Sequence, residues 1–133
     1  MRALIVDDEP LACKVVSLCL PKDAECDIAL DGREAFEAFK RAFESGRRHD
    51  VVILDFLLPE MDGLEVRKLI RGFEDENGVA PSSQAVIIFT SSTAEVACAL
   101  EHASDRVASV AKPVSAEKLR TVLSRLGLAN LSS

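Results

Sequence analysis

No apolar run in this 133-residue chain approaches the roughly 20 residues needed to cross a bilayer. The start does not read as a signal peptide either, because Asp7, Asp8 and Glu9 interrupt any hydrophobic region there. Positive charge is scarce: 16 Lys and Arg stand against 22 Asp and Glu, a net charge of −6. That balance argues against nucleic acid as a direct partner. Cys13, Cys19, Cys26 and Cys98 lack metal-ligand spacing, and three of them fall in apolar patterns. They read as small core or near-surface residues in a reducing compartment. His49 and His102 sit in polar surroundings at expected element ends and read as surface residues. Internal repeats and low-complexity segments are absent. The length suffices for one compact domain and falls short of two. The expectation is a cytoplasmic protein with neither a membrane nor a nucleic acid as partner.

What the chain does have is alternation of apolar strands with amphipathic helices. Ala3–Val6 is a short buried strand, and Pro10 opens a helix at a position where its missing N–H costs nothing. That helix is expected to reach about Leu20 and to end before Pro21. A second strand covers about Ala24 to Ala29. Asp31 followed by Glu34 resembles a capping box, and Ala35, Phe36, Phe39, Ala42 and Phe43 recur behind it at helical spacing. Arg47 and Arg48 follow its last turn, where positive charge suits the dipole. Val51–Leu54 is apolar on both faces, as a central parallel strand should be. Pro59 and Gly63 punctuate the next loop, and a helix to about Phe73 follows. Glu74 to Gln84 reads as a polar, acidic loop, lengthened before the fourth strand at Ala85–Thr90. A fourth helix is expected from Thr93 to about Ser104 and a fifth strand at Arg106–Ala111. Ser115 caps a last helix that stops at Gly127. Five strands and five helices in alternation imply right-handed crossovers and helices on both faces, a doubly wound α/β domain.

The chemistry-bearing residues leave the carboxyl ends of these strands. Asp7 and Asp8 follow the first strand, Asp55 the third, Thr90 ends the fourth, and Lys112 precedes Pro113 after the fifth. Parallel sheets gather such residues in one crevice. Carboxylates so close repel, at roughly 4 kcal/mol per pair for about 4 Å and an effective dielectric near 20. A divalent cation is the usual relief.

In this order, Val6-Asp7-Asp8-Glu9-Pro10, Asp55-Phe-Leu-Leu-Pro59-Glu-Met-Asp62-Gly63, Thr90-Ser91-Ser92 and Lys112-Pro113 resemble the receiver domain of two-component response regulators. The resemblance covers essentially the whole chain. It implies a flavodoxin-like, five-stranded parallel sheet of order 2-1-3-4-5 flanked by five helices. It also implies that Asp55 is the phosphoacceptor, attacking a phosphohistidine on a partner histidine kinase or histidine phosphotransfer protein. Mg²⁺ would be ligated by Asp8, Asp55 and the Leu57 backbone carbonyl, with Asp7 holding metal-bound water. Such a set of hard oxygens suits the ion. Lys112 would meet the phosphoryl oxygens, and Thr90 would swing inward to hydrogen-bond another. The Lys112-Pro113 bond is expected to be cis.

The family usually carries an aromatic three residues before the lysine; here that position is Ser109. Any signal would then travel through the loop after Thr90, including Ser91 and Ser92, or by another face. Leu57 and Ser92 would line the route of a hydrolytic water, with apolar Leu57 lengthening the phosphoryl lifetime. Residues 1–127 are expected to form the receiver and 128–133 a short tail without an output domain. The leading reading is a single-domain response regulator that switches binding of a downstream protein target or passes phosphate along a relay. It is a switch that phosphorylates and dephosphorylates itself, and not a turnover enzyme. Phosphatases with an aspartyl nucleophile typically carry an acid two residues later, where this chain has Leu57. The alternative is a phosphorylation-independent interaction module of the same fold.

Overall fold

A computed structural model describes residues 1–92 and 106–128. In chain order the elements are β1 (Arg2–Val6), α1 (Pro10–Cys19), β2 (Glu25–Ala29), α2 (Gly32–Glu44), β3 (Val51–Asp55), α3 (Gly63–Glu76), β4 (Val86–Ser91), β5 (Val107–Ala111) and α4 (Ala116–Arg125). A single 3-10 turn at Pro81–Ser83 precedes β4. All paired strands run parallel, in the order β2-β1-β3-β4-β5. The helix expected at Thr93–Ser104, with Cys98 and His102 inside it, lies outside the described residues, so four α-helices are seen among those described.

Between their polar ends the three central strands (β1, β3 and β4) are continuously apolar, because both of their faces are covered. Side chains alternate across a sheet, so Leu4, Val6, Val52, Leu54, Ile87 and Phe89 enter one core. Ala3, Ile5, Val51, Ile53, Val86 and Ile88 enter the other. The first core is closed by Ala35 and Phe39 of α2 and by Val66 and Ile70 of α3. The second is closed by Cys13 and Val16 of α1 and by Leu119, Val122 and Leu123 of α4. Of the expected face of α2, Ala35, Phe39 and Ala42 are buried, while Phe36 and Phe43 are half-buried. Both of these rings meet Phe73 edge-on, at 6.1 and 5.2 Å between centroids.

Helix starts follow the side-chain caps. Asp31, Asp62 and Ser115 accept the backbone N–H of Glu34, Glu65 and Lys118 at 2.7, 3.0 and 3.2 Å; each such cap stabilises by about 1 kcal/mol. Gly127, at φ +89°, supplies the left-handed residue that ends α4. Gly63 has a packing reason: a Cβ there would stand 2.9 Å from Phe89 Cε1 and 3.1 Å from Phe56 Cα. Glycine therefore lets α3 start directly against the end of the sheet.

Two expectations are corrected. His49 is buried, with its Nε2 2.7 Å from Asp27 Oδ2 and its ring stacked on Phe39. The Asp27 carboxylate of β2 and the Phe39 ring of α2 give the imidazole an interior site. The helix α3 also runs past Phe73 to Glu76, and Glu74 is buried instead of lying in a solvated loop. Its Oε2 accepts the Ala85 N–H at 2.7 Å, and its Oε1 pairs with Arg71 at 2.8 Å. The buried carboxylate thus ties the end of α3 to the residue just before β4.

Candidate functional site

The strand order turns back at β1, which has β2 on one side and β3 on the other, so α1 and α3 leave on opposite faces. Ligands of open parallel sheets bind outside the strand ends at such a point. There the structure brings together Asp7 and Asp8 after β1 and Asp55 at the end of β3. One carboxylate oxygen from each of the three lies within 4.8 Å of the others. Asp7 and Asp55 are buried and Asp8 is exposed. Lys112, just after β5, sets its Nζ 3.5 Å from both Asp7 Oδ2 and Asp55 Oδ2.

Local backbone hydrogen bonds aim the acids. Asp7 Oδ1 accepts the Glu9 N–H at 3.0 Å, and Asp55 Oδ1 accepts the Leu57 N–H at 3.3 Å. In both cases a carboxylate folds back on the amide two residues ahead. From behind, the buried Cys13 thiol donates to the Asp7 carbonyl at 3.5 Å; burial first, then the nearby Asp7, pushes that thiol's pKa up. Thr90 is buried and stands beside Asp55 in the β3–β4 register, and its carbonyl accepts the Phe56 N–H at 3.0 Å. Ser91 is buried, Ser92 exposed, and the Ser91 carbonyl accepts the Lys112 N–H at 2.7 Å. The Lys112-Pro113 peptide is cis, as expected. Ser109 lies in β5 opposite Phe89, half-buried.

Electrostatics follow from this crowding. Burial pushes the Asp55 pKa up and Asp7 adds to the shift; Lys112 and the Leu57 amide pull it back without cancelling it. Burial pulls Lys112 down, but Asp55 and Asp7 outweigh it, and its pKa ends above the ordinary value. Among the described residues, three carboxyl groups meet a single ammonium there, an excess of two acidic groups. All the side-chain donors are hard oxygens, the set that suits Mg²⁺. The crevice has a volume of about 280 Å³, lined among others by Asp8, Asp55, Leu57, Ser92 and Lys112. Leu57 stands at its rim, 68% exposed. Glu9 and Phe56 also line it, beyond the residues that the sequence pattern points to. Glu9 sits directly after the acidic pair, and Phe56 directly after Asp55, so adjacency was the signal available.

Sheet order and crevice together define a receiver-type α/β domain with an acidic pocket at its switch point. The chain belongs to the response regulator receiver domain family, whose model matches residues 3–124. It is 34% identical to the probable transcriptional regulatory protein TcrX of Mycobacterium tuberculosis, over 100% of this chain and 54% of that protein. It is 30% identical to hybrid signal transduction histidine kinase A of Dictyostelium discoideum, over 95% of this chain and 6% of that one. It thus spans about half, or much less, of the length of these curated relatives. Among solved structures, chemotaxis protein CheY4 of Vibrio cholerae superposes with a TM-score of 0.70 at 27% identity, covering 94% of this chain and 97% of that one. Receiver domains are signalling switches of two-component systems; they work with histidine kinases and downstream targets and bind Mg²⁺ at an acidic pocket.

Proposed function

We propose that the chain is a phosphorylation-controlled receiver in which Asp55 accepts a phosphoryl group from a phosphohistidine on a partner kinase or phosphotransfer protein. An Asp55 carboxylate oxygen attacks phosphorus, the phosphorus–nitrogen bond breaks, and the imidazole leaves with its electron pair and takes up a proton. The product is an acyl phosphate on Asp55.

Phosphoryl transfer asks a protein chiefly for positioning and charge neutralisation. Asp8, Asp55 and the Leu57 carbonyl would hold Mg²⁺, with Asp7 acting through metal-bound water; the ion supplies neutralisation of the phosphoryl oxygens. Lys112 supplies a second positive charge to them. Thr90 donates its hydroxyl to another oxygen, which biases the loop after β4. Acyl phosphate at Asp55 then shifts the chain between two conformational ensembles, and the shift alters binding of a downstream protein or passes the phosphoryl group on.

The observation that carries this reading is the cluster itself: three carboxylates within 4.8 Å, two of them 3.5 Å from one ammonium. So acidic a crevice with a lysine set against it is what a divalent cation and a phosphoryl group would fill. Intact-mass spectrometry after incubation with acetyl phosphate tests the reading. One added phosphoryl group is expected with Mg²⁺, and none after chelation or in Asp55→Asn. Addition independent of the metal or of Asp55 would overturn it.

A further inference from the structure

Lys118 stands in the first turn of α4, where the helix dipole disfavours a cation. Its backbone N–H is held by the Ser115 hydroxyl at 3.2 Å. Its side chain turns back out of the helix. Nζ lies 3.1 Å from the carbonyl oxygen of Ala111 and 2.9 Å from that of Pro113. These two carbonyls flank Lys112 on either side. Ammonium-to-carbonyl hydrogen bonds are charge-assisted and roughly twice as strong as neutral ones.

The segment that carries Lys112 is therefore gripped from two directions. The end of β4 takes its amide, through the Ser91 carbonyl at 2.7 Å. The start of α4 takes the carbonyls before and after it. Lysine has a long, flexible stem, so its ammonium stays 3.5 Å from both Asp7 and Asp55 only if the backbone it springs from is fixed. Displacing a reacting or stabilising group by about 1 Å can cost up to about a hundredfold in rate.

We propose that Lys118 is a positioning residue: by bridging the carbonyls of Ala111 and Pro113 it fixes the turn that aims Lys112 into the acidic crevice. The inference rests on the phosphoacceptor reading above and assigns this role to a residue that lies outside the crevice. Lys118 acts on the phosphoryl group only through Lys112, so its removal should weaken what Lys112 holds and spare what the carboxylates hold.

The test is calorimetric titration of the full chain, first with Mg²⁺ and then with beryllofluoride at saturating Mg²⁺, for wild type, Lys118→Met, Lys112→Met and the double variant. Lys118→Met keeps the aliphatic stem and removes the charge and the donors. It is expected to bind beryllofluoride about three- to tenfold more weakly, with Mg²⁺ affinity at or above the wild-type value, which also shows that the variant is folded. On the Lys112→Met background the same substitution should add nothing, because the two residues act as one unit. Wild-type beryllofluoride affinity in Lys118→Met would overturn the inference. So would an equal further loss on the Lys112→Met background, or a parallel loss of Mg²⁺ binding. Failure of the wild-type chain to bind beryllofluoride would instead overturn the phosphoacceptor reading, and this inference with it.

Discussion

His49 Nε2 lies 2.7 Å from Asp27 Oδ2, and the same carboxylate oxygen receives Arg2 Nη2 at 2.7 Å. The imidazole is buried, and its Nδ1 has no hydrogen-bond partner among the described residues. Burial pulls its pKa below the ordinary value, Asp27 opposes that shift through hydrogen bond and charge, and Arg2 reinforces it. His49 therefore stays neutral in the folded chain at a pH where it is charged in the unfolded one.

The sign of the pH dependence follows. Above the ordinary histidine value of about 6.5, both states are neutral and His49 contributes no slope. As pH falls from there towards the lowered native value, the unfolded state binds the extra proton and stability is lost. Urea denaturation followed by circular dichroism should show this loss in wild type as the pH falls below about 6.5. His49→Gln should show a shallower dependence. Parallel curves for the two proteins would contradict the assignment.

Glu74 predicts a different kind of loss. It is buried, pairs with Arg71 and accepts the Ala85 amide. Glu74→Ala removes one partner of a buried pair and the acceptor of a buried N–H, and should cost about 3 kcal/mol. Chemical denaturation measures it. A change below about 0.5 kcal/mol, the range of ordinary surface substitutions, would mean that the carboxylate is in contact with water.

Leu57 gives a kinetic prediction. Its exposed side chain stands at the rim of the crevice, offering no hydrogen bond to a water approaching an acyl phosphate on Asp55. Leu57→Asn supplies an amide that can hold such a water and should speed loss of phosphate by about three- to tenfold. Phosphate release after removal of the donor reports the rate. An unchanged or slower rate contradicts the proposed shielding.

Most of the sheet was legible because each central strand is apolar on both faces, and only a doubly covered parallel strand needs that pattern. The crevice was legible for a related reason: Asp7, Asp8, Asp55, Thr90 and Lys112 all interrupt or end apolar runs, so their strand ends align in the sequence itself. What stayed hidden depended on partners distant in sequence. His49 reads as a surface residue in sequence, because Asp27 of β2 and Phe39 of α2, which give it an interior site, lie far from it along the chain. Glu74 opens the acidic run Glu74-Asp75-Glu76, which masks the one carboxylate that turns inward to an amide 11 residues away. Lys118 has ordinary helical surroundings in sequence, and only the turn back of its side chain reveals what it holds.

The central claim is that Asp55 carries the phosphoryl group, and trapping the acyl phosphate tests it most directly. The chain would be phosphorylated with acetyl phosphate and Mg²⁺, reduced with borohydride, digested and mapped by tandem mass spectrometry. Reduction of an aspartyl phosphate yields homoserine, and the account predicts homoserine at position 55 alone, dependent on Mg²⁺. Homoserine at Asp7, Asp8 or another aspartate, or an unmodified Asp55 in a chain that had gained phosphate, would contradict it.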